Sequence, residues 1–345
     1  MLNHMLQTCR TERSLLLMTS LLLLTYFFIM DVVLYMTLQS TNLANQEKTS
    51  SYSPFRPLSA KLLMTAPTNH YILSLATEYF DEYTHFSKIF TFITPNMISA
   101  MHLALGFLSG KFVASESLRR RRLGVLIFEL RLWLDVYDGV VYRSHKGLHG
   151  YRSDRMNLGF VVDTICDTTS GIALCFGVLF YLWKVQVQKP TAILPYTKPS
   201  VNGAPVSGDG EKTSVYQQKH PRNHIFYKVL CYGLMLALTG MTFDKTTEAF
   251  GGIFTTKMET SLEEETQLEA LHSLTMWFVL YSWRLIEAQA MLQYLLLAIF
   301  LDRIWEFICF IQYTGYGTLI LVNVMSQLQI RNVRNMLKST SAEYV

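Results

Sequence analysis

Charge is scarce in these 345 residues: Asp, Glu, Lys and Arg together make up 16% of the chain, while half of it is hydrophobic. A water-soluble fold of this length needs a more polar surface, so a single large soluble core is excluded. Cysteine is also sparse. Cys9, Cys166, Cys175, Cys231 and Cys309 lie mostly inside apolar runs at no framework spacing, which excludes a disulfide scaffold and a cysteine-based zinc site. No Asn-x-Ser/Thr acceptor and no internal repeat occurs. The net charge is only +4, and the basic residues fall between apolar runs. That pattern orients a membrane protein, and no nucleic acid is expected as a partner.

What is present is a series of apolar runs able to cross a bilayer, for which about 20 residues suffice. The first, 15–38, follows a 1–14 tail carrying Arg10 and Arg13. No small-residue cleavage site comes after it, so it reads as a signal anchor that is kept, with the tail in the cytosol. Asp31 near its far end is expected to reach toward the interface. In the 39–93 segment, Pro54, Pro57 and Pro67 break any helix. Residues 69–90 then turn amphipathic and are expected to lie in the interface, anchored by Tyr71, Tyr79, Tyr83 and Phe86.

Thr94-Pro95-Asn96 opens the next span, 94–114, with proline in the first helical turn. Further spans are expected at 123–143, 159–185, 225–243, 271–301 and 304–325. A Pro-, Gly- and Ser-rich flexible linker fills 186–224, and 326–345 forms a C-terminal tail. Arg284 and Glu287, one turn apart, are expected to pair. The fold class is therefore an all-α polytopic membrane protein.

Four carboxylates interrupt this apolar pattern. Asp135 and Asp138 are followed by Gly139 and Arg143; Gly159, Asp163 and Asp167 then recur at intervals of four. On helices each set shares one face. One charge at a bilayer centre costs about 2.5–3.5 kcal/mol on insertion scales, and clustered carboxylates also repel. Divalent cations that favour oxygen ligands, Mg²⁺, Mn²⁺ or Ca²⁺, are the natural compensation. The alternative is ion pairing with Arg131, Arg143 or Arg152. Between the two sets, Lys146, Arg152 and Arg155 suit either phosphate contacts or a solvated loop.

The pattern Asp135-x-x-Asp138-Gly139-x-x-Tyr142-Arg143, then Gly159-x-x-x-Asp163-x-x-x-Asp167, resembles the signature of the CDP-alcohol phosphotransferases. Those integral-membrane enzymes move a phospho-alcohol from a CDP carrier to a lipid hydroxyl. Tyr142 stands where the family has a small Ala, and the interval 144–158 is longer than usual. Gly150 with Asp154 fits the usual spacing more closely, but Leu158 then takes the last acidic position, so the Gly159 set is preferred. The expanded motif is similar to that of the insect ceramide phosphoethanolamine synthases, a divergent branch of the family.

This resemblance implies a six-helix core over 94–325 behind the signal anchor. It implies two divalent ions, Mn²⁺ or Mg²⁺, held by Asp135, Asp138, Asp163 and Asp167, with Asp167 also the general base. Gly139, Tyr142 and Gly159 would border the nucleotide and Arg143 would hold its pyrophosphate. CDP-ethanolamine would be the donor and ceramide the acceptor, among membrane lipids, with CMP released; a homodimer is left open. Two rivals remain: transfer to diacylglycerol, and an ion transporter that would need neither Gly139, Gly159 nor Arg143.

Loop charge sets the orientation. The turn Arg119–Arg122 and the 186–224 linker are basic and expected in the cytosol. The 39–93 and 144–158 segments and the acidic stretch 244–270 then lie opposite. The basic 144–158 segment and Arg331, Arg334 and Lys338 run against this rule; phosphate binding would account for the first. Both aspartate sets sit nearest 144–158, so the site is expected to face a lumen, and the resemblance places it in the Golgi membrane.

Overall fold

The computed structural model describes residues 2–43, 53–55, 59–147, 158–185, 220–258 and 260–342. Gly150, Arg152, Asp154, Arg155, the stretch 186–219 of the expected linker, and the side chains of Arg10 and Arg13 lie outside the described residues.

Among the described residues the regular elements are all helical. They are α1 (Leu2–Leu38), α2 (Ala60–Met64), α3 (Ser74–Thr84, entered through a π-helical turn at Asn69–Leu73), α4 (Phe86–Ile89) and α5 (Pro95–Val113). Next come α6 (Leu118–Lys146), α7 (Leu158–Val185), α8 (Arg222–Phe254), α9 (Ser261–His272), α10 (Leu274–Ile286), α11 (Ala288–Phe300) and α12 (Ile304–Ala342). Four of them contain stretches long and apolar enough to cross a membrane: Leu17–Leu38, Val161–Val185, Arg222–Phe254 and Ile304–Thr340. Helices α10 and α11 are apolar but shorter. The chain is an all-α polytopic membrane protein; Leu17, Leu21 and Leu22 of α1 point outward, while Leu34 and Leu38 are buried.

Helices α5, α6 and α7 form the tightest unit, and glycine is the reason. A Cβ on Gly106 would lie 2.6 Å from Ser170 Cβ, and one on Gly110 would strike the carbonyl oxygen of Ala173. Gly177 meets the Gly110 backbone in the same way. On the other flank, Gly124 packs against Val113, and Ser109 Oγ donates to the Gly124 carbonyl at 2.8 Å. Lipid gives no hydrophobic drive for helix pairing, so close approach of small residues supplies the packing energy. Thr94 caps α5, its Oγ1 accepting from Met97 N at 3.4 Å with Pro95 at the first position. At the far end of α6 the chain leaves the helix through Gly147 at φ +62°, a left-handed closure that suits glycine.

One end of this unit is fastened by Arg121, which contacts Asp302 and stacks 4.0 Å from the Tyr181 ring; Tyr181 Oη also donates to Asp302 at 3.1 Å. Arg121 lies about 25 Å along α6 from Asp138 at 1.5 Å per residue. The basic turn and the aspartates are therefore at different levels of the bundle.

Several expectations change here. Asp31 is buried, not interfacial: it pairs with Arg284 Nη2 at 3.0 Å and accepts from Tyr71 Oη at 2.6 Å. Tyr71 is likewise buried and is no surface anchor, whereas Tyr79 and Tyr83 are exposed. Arg284 does not take Glu287 as its partner, because the expected 271–301 helix breaks there. Glu287 has ψ 158°, outside the helical range, and its Oε1 accepts from Ala66 N at 2.5 Å. Helix α8 runs into the acidic stretch, and α12 continues through the residues read as a tail.

Candidate active site

The three clamped helices bring the polar residues together. Asp135 and Asp138 lie on α6, Asp163 and Asp167 on α7, and Ser99 and His102 on α5. Asp135 and Asp138 are buried, while the Asp163 and Asp167 side chains keep 33% and 36% of their exposure. Among the described residues the carboxylates on α7 are thus the more exposed. Ser99 Oγ donates to Asp138 Oδ2 at 2.7 Å. Arg131 contacts Asp167 Oδ1, and its Nη1 lies 3.5 Å from Asp135 Oδ2. Gln289 Nε2 donates to that same Asp135 Oδ2 at 3.2 Å, and Gln289 Oε1 accepts from Asn69 Nδ2.

His102 is the residue that the sequence analysis missed. Its side chain is wholly buried, with Nε2 3.6 Å from Asp163 Oδ1 and 3.9 Å from both Asp138 Oδ2 and Asp167 Oδ1. Among the described residues, neither ring nitrogen has a hydrogen-bond partner, and neither has Asp163 Oδ1. Buried polar groups left unmade cost about 1–3 kcal/mol each, so these atoms need a ligand to satisfy them. Among the described residues four carboxylates face one guanidinium, so formal negative charge is in excess there.

A divalent cation answers both deficits. His102, Asp135, Asp163 and Asp167 each offer one ligand atom, all within 4.8 Å of one another. Ligands held about 2.1 Å from one ion lie at most about 4.2 Å apart, so the group needs only a small contraction to close on a metal. Asp138 stands just outside this group, tied to Ser99.

The remaining expected site residues flank the cluster. Gly139 follows Asp138, and a Cβ there would lie 3.4 Å from Arg143 Nη1. Arg143 Nη2 pairs with Glu78 Oε1 of α3 at 2.6 Å, and both side chains are 24% exposed. Tyr142 is half-buried on the last turns of α6, and Gly159 sits in the first turn of α7. Lys146 is exposed at the end of α6.

Comparison with known proteins identifies the family. The family model described as "Ceramide phosphoethanolamine synthase" matches residues 49–340. A Drosophila melanogaster protein named ceramide phosphoethanolamine synthase is 30% identical over 291 residues, covering 84% of this chain and 72% of that protein. No solved structure matches. The match runs from before α2 to near the end of α12 and includes every residue of the cluster, so the chain belongs to the ceramide phosphoethanolamine synthase family.

Proposed function

We propose that this chain transfers phosphoethanolamine from CDP-ethanolamine to the primary hydroxyl of ceramide and releases CMP, by CDP-alcohol phosphotransferase chemistry. The observation that carries the reading is the convergence of Asp135, Asp163 and Asp167 from two helices with His102 onto one cluster of ligand atoms, with Asp138 beside it. The family membership supports the acceptor. In the reaction, the ceramide oxygen bonds to the phosphorus bearing the ethanolamine group, and the bond from that phosphorus to the CMP oxygen breaks. The hydroxyl proton passes to Asp167.

Each residue has a role in this reading. Asp135, Asp138, Asp163 and Asp167 would hold two divalent cations, Mn²⁺ or Mg²⁺, which would supply neutralisation of the phosphate charge. Arg131 orients Asp135 and Asp167 through its two nitrogens. Gly139 and Gly159 leave the nucleotide room beside the helices, and Tyr142 borders it. Arg143 exchanges Glu78 for the pyrophosphate, a planar fork meeting phosphate oxygens. The enzyme works in the Golgi membrane with this pocket toward the lumen.

The test is turnover of purified protein in lipid nanodiscs with CDP-ethanolamine and either ceramide or diacylglycerol, with and without a chelator. CMP release that requires ceramide and a divalent cation is expected. Equal or faster transfer to diacylglycerol would replace the acceptor, and absence of CMP with both lipids would overturn the reaction class.

A further inference from the structure

We propose that His102 is a direct nitrogen ligand of the bound divalent cation, making this a mixed imidazole–carboxylate site. The inference rests on the metal reading above and extends it to a residue outside the aspartate motif.

Three observations carry it. First, the imidazole is fully buried and, among the described residues, both of its nitrogens lack a hydrogen-bond partner. Second, Nε2 stands 3.6–3.9 Å from an oxygen of each of Asp138, Asp163 and Asp167. Those separations are too long for hydrogen bonds, but they suit donor atoms that share one ion at about 2.0–2.2 Å. A charged imidazolium acting as a counter-ion would instead close on one carboxylate. Third, α5 cannot withdraw the ring. Its Gly106 and Gly110 are pressed onto α7, and Ser109 is bonded to α6, so His102 is held between the two aspartate-bearing helices.

The nitrogen donor has a chemical consequence. Imidazole favours first-row transition ions over Mg²⁺, which prefers oxygen alone. The site therefore takes Mn²⁺ or Co²⁺ in preference to Mg²⁺, and His102 is the residue that sets this order.

Pulsed electron paramagnetic resonance of the Mn²⁺-loaded protein in nanodiscs reads the ligand directly. Nitrogen hyperfine coupling to Mn²⁺ is expected in the unmutated protein and is lost in His102→Gln, which keeps an oxygen donor in its place. Mn²⁺ affinity in that variant should fall by at least the about 10–100-fold seen when a mere outer-shell partner is removed, while Mg²⁺ affinity falls less. Should the variant fail to fold, isotopic substitution of histidine nitrogen in the unmutated protein must alter the coupling. Bound Mn²⁺ with no nitrogen coupling overturns the inference and leaves the carboxylate site standing. If Mn²⁺ does not bind at all, the metal reading and this inference both fall.

Discussion

Replacing Arg131 by methionine keeps the length and apolar packing of the side chain and removes its charge. In the folded protein that guanidinium contacts Asp167 and reaches toward Asp135. Removing one partner of a buried pair costs about 3–5 kcal/mol, because a charge is left uncompensated. The Asp135 side chain keeps 7% of its exposure and feels the full loss, whereas Asp167 is 36% exposed and water recovers part of its share. The expected destabilisation in chelator is therefore at the lower end, about 3 kcal/mol. A divalent cation at about 100 times its dissociation constant returns about 2.7 kcal/mol, which nearly offsets it. Without the guanidinium as a competitor for the same oxygens, the variant should also bind the cation more tightly than the unmutated protein. Denaturant unfolding followed by tryptophan fluorescence, in chelator and in Mn²⁺, measures both effects. Equal stability of the two proteins in chelator, or a Mn²⁺ shift no larger in the variant, would refute the reasoning.

Asp163→Asn should abolish transfer while the protein stays inserted and folded, because it removes a carboxylate whose Oδ1 no protein group satisfies; substantial turnover at saturating Mn²⁺ would count against its role. Gly110→Leu should fail to assemble, since even a methyl group there meets the Ala173 carbonyl and overpacking costs about 1–3 kcal/mol or more; a normal size-exclusion profile and unchanged melting would contradict the clamp. A cysteine replacing the exposed Lys146 should resist an impermeant thiol reagent in sealed Golgi vesicles and react after detergent; full labelling of intact vesicles would put the site on the cytosolic face.

The aspartate sets were legible because their spacing is local. Two helices with the right period suffice to put each pair on one face, and α6 and α7 supply them. His102 was not legible for the opposite reason. A lone histidine in an apolar span looks like any core residue, and only the approach of α5 to α7 gives it neighbours. The glycines and serines spaced along that span, with His102 three residues after Ser99 and four before Gly106, were the available signal. Arg284 shows how local reasoning misleads. Glu287 is one turn away on an ideal helix, but the helix ends at that residue, and the true partner, Asp31, comes from the other end of the sequence. Tyr71 was misread similarly, its aromatic character suggesting a lipid interface while its hydroxyl serves Asp31.

The contacts of Arg284 also bear on whether this protein is modular. A membrane anchor is ordinarily exchangeable, since any apolar helix of suitable length can hold an enzyme to a bilayer. Here α1 supplies the carboxylate that neutralises a fully buried arginine. That arginine donates to the Leu63 carbonyl at 3.3 Å and lies 5.0 Å from the Tyr71 ring. Within the same stretch, Asn69 meets Gln289, which holds Asp135. A generic anchor grafted in place of α1 would strand the charge and loosen the backbone that steadies Asp135. The first helix is thus structurally tied to the candidate site, and a chimera would have to carry Asp31 with it.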